Sequence, residues 1–224
     1  MALVSDADRF VDEGYLVVPD LVSPDERSAI IAEAARFATG KYPVLNGAAV
    51  PAGATDDEAL RQVLAIHFPH WVSEVALDMV RHPGITGVVS TIAGAHLAHW
   101  DGAVKCCQSM LFVKGPGMPG QAWHQDERFI PTRDRSLVGA WIALDDATVD
   151  NGCLWVLPGS HRSGYLWPTR EHHDPEHDLS DESYGFDAAM AVPVEVAAGT
   201  VVFFNGYLLH RSLANHTRGT GVPS

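Results

Sequence analysis

Residues 200–212 read Thr200-Val201-Val202-Phe203-Phe204-Asn205-Gly206-Tyr207-Leu208-Leu209-His210-Arg211-Ser212. A β-branched and aromatic run leads into Asn205-Gly206, a dipeptide whose two positions tolerate the positive φ of a tight hairpin turn. A second short strand is expected at Leu208–Ser212. Period-two alternation puts Leu208, His210 and Ser212 on one face and Leu209 and Arg211 on the other. The same texture reaches back to about residue 104. Strands are predicted at Gln108–Val113, Ala122–Asp126, Leu137–Leu144, Cys153–Leu157, Val192–Val196 and Thr200–Phe204. Asn151-Gly152 reads as another hairpin turn, and Pro116-Gly117, Pro119-Gly120 and Pro158-Gly159 as further turns. Many short antiparallel strands joined in this way imply a barrel or a double-sheet jelly roll. Residues 165–190 are polar and long for a loop, so a lid or a disordered insertion is expected there.

The first hundred residues read as mostly helical, with one early strand at Tyr15–Val18. Ser23-Pro24-Asp25-Glu26 is a helix start, with Ser23 as N-cap, Pro24 at the first helical position and Glu26 three after the cap. Gly40 is placed to end that helix. Residues 46–57 read as a loop. Helical patterns resume near Glu58, around Val75–Val80 and over Ile85–Ile92. The expected fold is therefore mainly β with helices, a double-stranded β-helix backed by N-terminal helices. It is read as one domain over 1–224, helical over 1–103 and jelly roll over 104–218.

Composition narrows the function. The chain has 224 residues and a formal net charge of −13. It therefore lacks the basic footprint of a nucleic-acid binder. No apolar run approaches the roughly 18 residues of a membrane span. The start, with Asp6, Asp8 and Arg9, does not have the layout of a signal peptide. Three cysteines, two of them the adjacent Cys106 and Cys107, form no disulfide framework, so a cytoplasmic location is expected.

Trp123-His124-Gln125-Asp126 supplies the chemistry. On a strand, His124 and Asp126 project an imidazole and a carboxylate from one face. A short His-x-Asp pair also occurs on many surfaces, so a third ligand is needed. His161 looks like a turn residue, and His172, His173 and His177 lie in the polar insertion. His210 sits on a strand with defined parity and is taken as the third. Two histidines and one carboxylate on one side of a metal leave positions open for substrates and suit non-haem Fe(II) with oxygen.

Three stretches then resemble the phytanoyl-CoA dioxygenase family: Gln108-Ser109-Met110 through Lys114, Gly117 and Gly120 to His124-Gln125-Asp126; Trp141 through Asp146 and Asn151-Gly152-Cys153-Leu154 to Pro158-Gly159-Ser160-His161; and Gly199-Thr200 through Phe204 to His210-Arg211-Ser212 and Asn215. The resemblance implies a cupin-like jelly roll, with Fe(II) as cofactor and 2-oxoglutarate and O₂ as co-substrates. It implies His124, Asp126 and His210 as the iron ligands. It also implies Gln108, Met110, Trp141 and Ser212 as residues lining the 2-oxoglutarate site, although Met110 and Trp141 read equally well as core. Related halogenases replace the carboxylate with a small residue. Asp126 keeps it, so hydroxylation of a small or lipid-like molecule is expected, with release of succinate and CO₂.

The sequence departs from the family near its end. Gly221 stands where relatives carry the arginine that holds the distal carboxylate of 2-oxoglutarate. Arg218 is the arginine taken for that role, and a solvated tail position suits it as well. Gly219–Ser224 has little strand character, which leaves the last barrel strand in question. A non-catalytic or truncated jelly-roll protein that keeps a metal or ligand site is therefore the alternative. Trp71, Trp100, Trp155 and Trp167 suit either a pocket lining or a core.

Overall fold

The computed structural model describes residues 6–42, 53, 55–61, 63–94 and 96–217. In chain order its elements are α1 (Asp6–Glu13), β1 (Tyr15–Val18), α2 (Pro24–Ala38), α3 (Asp56–Leu60), β2 (Ala65–His67), α4 (Glu74–Val80), α5 (Pro83–Ile92), β3 (Met110–Phe112), β4 (Val138–Ile142), β5 (Leu154–Val156), β6 (Thr169–Arg170), β7 (Glu182–Ser183), β8 (Val192–Val194), β9 (Val201–Asn205) and β10 (His210–Ser212). Short 3₁₀ turns lie at Pro69–Trp71 and Asp126–Arg128.

Two three-stranded antiparallel sheets form the jelly roll, ordered β1-β9-β4 and β10-β5-β8. β9 explains why its sequence is apolar without alternation. Val201 and Phe203 face α1 and α5, where they cluster with Phe10, Ile85 and Ile92 and with Leu16 of β1. Val202 and Phe204 face the other sheet and meet Leu154, Val156, Val194 and Leu208. Both faces of the strand are covered, so both sets of side chains are buried. Each large side chain buried in this way contributes roughly 1.5–3 kcal/mol. Gly139 on β4 lies opposite Phe204. A side chain there would collide with the Phe204 ring, so the close approach requires glycine.

The helix start at Ser23 is a full capping box. Glu26 N donates to Ser23 Oγ at 3.3 Å and Ser23 N donates to Glu26 Oε2 at 2.9 Å. The helix runs to Ala38 and turns at Gly40, whose φ is +74°. Ala34, Ala35 and Ala38 then pack on Ala59, Leu60, Ile66 and Val113.

The structure corrects four expectations. The Asn-Gly dipeptides do turn the chain, but neither closes a hairpin. Both edges of β9 are taken by β1 and β4, so the turn at Asn205-Gly206 delivers β10 to the facing sheet, where it pairs with β5. The segment holding Asn151-Gly152 likewise carries the chain from β4 to β5 in the other sheet. Ala122–Asp126 is not a strand. It makes one bridge, His124 with His210, and Asp126 then opens a 3₁₀ turn. The N-terminal part holds a second strand, β2, which pairs with β3. A short apolar run does not distinguish helix from strand by period alone, and the free edge of β3 decides it. Residues 165–190 are folded rather than a disordered insertion. β6 pairs with β7, Trp167 and Phe186 pack against Trp123, and Ser183 N donates to Trp123 O at 2.6 Å. The predicted loop at 46–57 lies mostly outside the described residues. No described helix is long and apolar enough to cross a membrane.

Candidate metal centre

The bridge between β10 and residue 124 sets two imidazoles side by side. His124 N donates to His210 O at 2.9 Å and His210 N donates to His124 O at 3.1 Å. The ring centroids are 4.1 Å apart. Each ring is fixed a second time from its own backbone. His124 Nδ1 lies 2.8 Å from Ala122 O, and His210 Nδ1 lies 3.0 Å from Leu208 O. A carbonyl only accepts, so each Nδ1 carries the proton and each Nε2 keeps a lone pair for a metal. Asp126 enters from the 3₁₀ turn. Its Oδ1 is 3.7 Å from His124 Nε2 and 3.6 Å from His210 Nε2.

One ligand atom from each of the three residues lies within 4.8 Å of the others, and no other such group occurs among the described residues. Burial, reinforced by the neighbouring His124 ring, pushes the His210 imidazole down to about 4, so it is neutral at neutral pH. Two imidazoles and one carboxylate on one side match the donor set of a non-haem iron site, with nitrogen and oxygen ligands and no sulfur.

The three side chains line a cavity of about 960 Å³, within the usual range for small-molecule sites. Gln108, Met110 and Ser212 line it as well. Trp141 does double duty, since it lines the cavity and also packs in the core between the sheets. Much of the remaining wall is apolar, with Leu111, Phe129, Ile130 and Val138 among its residues. Arg218 lies outside the described residues. Arg211 points away from the triad, as its parity implies, with its guanidinium over the rings of Trp123 and Trp155 at 4.9 and 5.5 Å. Trp100 lines the cavity, while Trp71 is exposed. His161 is a tie between elements, its Nε2 3.0 Å from Val11 O. The His172 and His177 rings sit 5.8 Å apart in the folded segment, away from the triad group.

The sequence reading assigned no role to two further residues of this region. Gln125, 1% exposed, points opposite to His124 and Asp126. Its amide donates to Tyr165 O at 3.0 Å and Tyr207 O at 2.7 Å, and its carbonyl accepts from Trp167 N at 2.8 Å. Lys114 reaches Ser212 from the segment after β3. Both residues stand in the stretch that carries the family resemblance, which gave them no role.

Comparison with known proteins agrees with this geometry. A family model described as phytanoyl-CoA dioxygenase matches residues 10–220. Phytanoyl-CoA dioxygenase 1 of Oryza sativa subsp. japonica is 42% identical over 110 residues, covering 48% of this chain and 38% of that protein. Ectoine dioxygenase of Stutzerimonas stutzeri (strain A1501) is 29% identical over 228 residues, covering 94% of this chain and 71% of that protein. The crystal structure of SnoK, a non-haem alpha-ketoglutarate-dependent carbocyclase from nogalamycin biosynthesis, superposes with a TM-score of 0.65 at 25% identity, covering 95% of this chain and 78% of that one. The matched region spans about two fifths of the length of the phytanoyl-CoA dioxygenase relatives from rice and Arabidopsis thaliana.

Proposed function

The chain belongs to the phytanoyl-CoA dioxygenase family, and we propose that it is an Fe(II)- and 2-oxoglutarate-dependent oxygenase that hydroxylates a small or lipid-like organic molecule. The observation that carries this reading is the His124, Asp126 and His210 group set in the wall of a large, mainly apolar cavity. His124 Nε2, His210 Nε2 and an Asp126 carboxylate oxygen would hold the iron. Iron bound there with 2-oxoglutarate and O₂ supplies the oxidising power to replace a C–H hydrogen by hydroxyl, with release of succinate and CO₂.

The protein's own part is positional. The Ala122 and Leu208 carbonyls fix both imidazole tautomers before any metal arrives. Burial keeps His210 unprotonated and so available as a ligand. Asp126 keeps the carboxylate that related halogenases replace with a small residue, which favours hydroxylation. The apolar wall excludes water and holds a substrate of low charge against the metal. The family resemblance assigns Gln108, Met110, Trp141 and Ser212 to the co-substrate end, and their position in the cavity wall supports that reading. We read residues 1–224 as one such domain. A reducing, cytoplasmic setting is supported by three free cysteines, Cys106, Cys107 and Cys153.

The test is succinate formation from 2-oxoglutarate by the purified protein with Fe(II) and ascorbate. Turnover should be present in the wild type and abolished in His124→Ala. Equal turnover in the two proteins would overturn the assignment.

A further inference from the structure

Ser212 lies two residues past His210 on β10, so the two side chains share a face. Its Oγ accepts two hydrogen bonds, from Lys114 Nζ at 2.8 Å and from Gln121 N at 3.1 Å. A hydroxyl has two lone pairs, and both are taken. Its own proton must therefore be given elsewhere, and Ser212 lines the cavity. The hydroxyl is committed as a donor towards whatever occupies that end.

Lys114 is committed in a complementary way. Its remaining two protons go to Gly152 O at 3.0 Å and Leu213 O at 2.9 Å. No proton is left for a ligand, but the charge remains, held in the cavity wall by three neutral acceptors. An ammonium that donates to a hydroxyl also makes that hydroxyl a stronger donor, because hydrogen bonds in a chain polarise one another.

We propose that Lys114 is a positioning residue for the 2-oxo acid co-substrate: it orients and polarises Ser212 so that the Oγ–H binds the distal carboxylate, and its buried charge makes that end of the cavity selective for a dianion. The inference rests on the 2-oxoglutarate reading above. The spacing suits it. Ser212 is about 7 Å along the strand from His210, and a 2-oxo acid anchored at the metal end directs its second carboxylate along that length. Lysine 114 is also poised to respond to pH, since burial lowers its pKa to about 8 against the opposing influence of Cys153 and Asp178. Cys153 is pushed up to about 11 and stays a neutral thiol through that range.

The experiment compares 2-oxoglutarate with 2-oxopentanoate, which has the same chain length without the second carboxylate. Both are titrated anaerobically into the iron-loaded protein, read by visible absorption. The wild type should prefer 2-oxoglutarate, and Lys114→Met should lower that preference roughly tenfold while leaving 2-oxopentanoate affinity unchanged. Ser212→Ala should also lower that preference, and the double variant should be little worse than either single one, because both act on one contact. The wild-type preference should also decline as pH is raised through about 8. That arm needs no variant, and the ratio cancels effects at the iron. A preference that survives Lys114→Met, or one that is flat through that pH, overturns the proposal. Equal wild-type affinity for the two acids overturns it alone. Binding of neither acid overturns the co-substrate reading, and this inference with it.

Discussion

Gln125 stands between two proposed ligands and spends every polar atom of its amide on backbone groups some 40 and 82 residues away in sequence. It holds the turn that carries Asp126 against the Tyr165–Trp167 segment and against Tyr207. Gln125→Glu keeps the size but not the two donated hydrogen bonds, and it sets a carboxylate against two carbonyl oxygens. Leaving buried acceptors unpaired costs about 1–3 kcal/mol each. The variant should therefore lose about 3 kcal/mol of stability in a urea unfolding titration, and an unchanged midpoint would contradict this picture of the site. His124, Asp126 and His210 were readable as a candidate group from side-chain type and local alternation, although Asp126 opens a 3₁₀ turn rather than lying on the expected strand. Gln125 and Lys114 were not, because distant carbonyls and a hydroxyl define their roles.

The turns show the same division among the elements. Asn151-Gly152 and Asn205-Gly206 both announce a change of direction, but only Gly152 uses a positive φ; Gly206 has none and instead lies too close to Leu137 for a side chain. Which strand then pairs with which depends on edges already occupied, and no property of the dipeptide encodes that. Gly152 has φ +82°, and a side chain on it would collide with Leu213 O, one of the acceptors of Lys114. Gly152→Ala should cost about 2 kcal/mol through the positive φ and the close approach together. Thermal unfolding would show it, and a variant as stable as wild type would mean the crossing between sheets is looser than described. The strand expected at Ala122–Asp126 failed for a related reason. Its alternation is real, but only His124 finds a ladder partner, because the chain turns at Asp126 to present the carboxylate.

For the whole molecule, the helices cover one face of the β1-β9-β4 sheet and the second sheet covers the other. The cavity opens between the sheets, where β10 presents His210 and Ser212. The jelly roll and its helical cover followed from composition, turn spacing and a family resemblance. The folding of residues 165–190 did not, because a polar, histidine-rich stretch gives no sign that Trp167 and Phe186 will find Trp123. We propose this arrangement as a working iron and 2-oxo acid site. Its most direct test is anaerobic titration of the metal-free protein with Fe(II) and then 2-oxoglutarate, followed by visible absorption. One iron should bind per chain, a weak charge-transfer band should appear on adding 2-oxoglutarate and fade on admitting O₂, and His124→Ala should show neither iron nor band. Iron bound without a band, or a band unaffected by His124→Ala, would contradict that reading of the site.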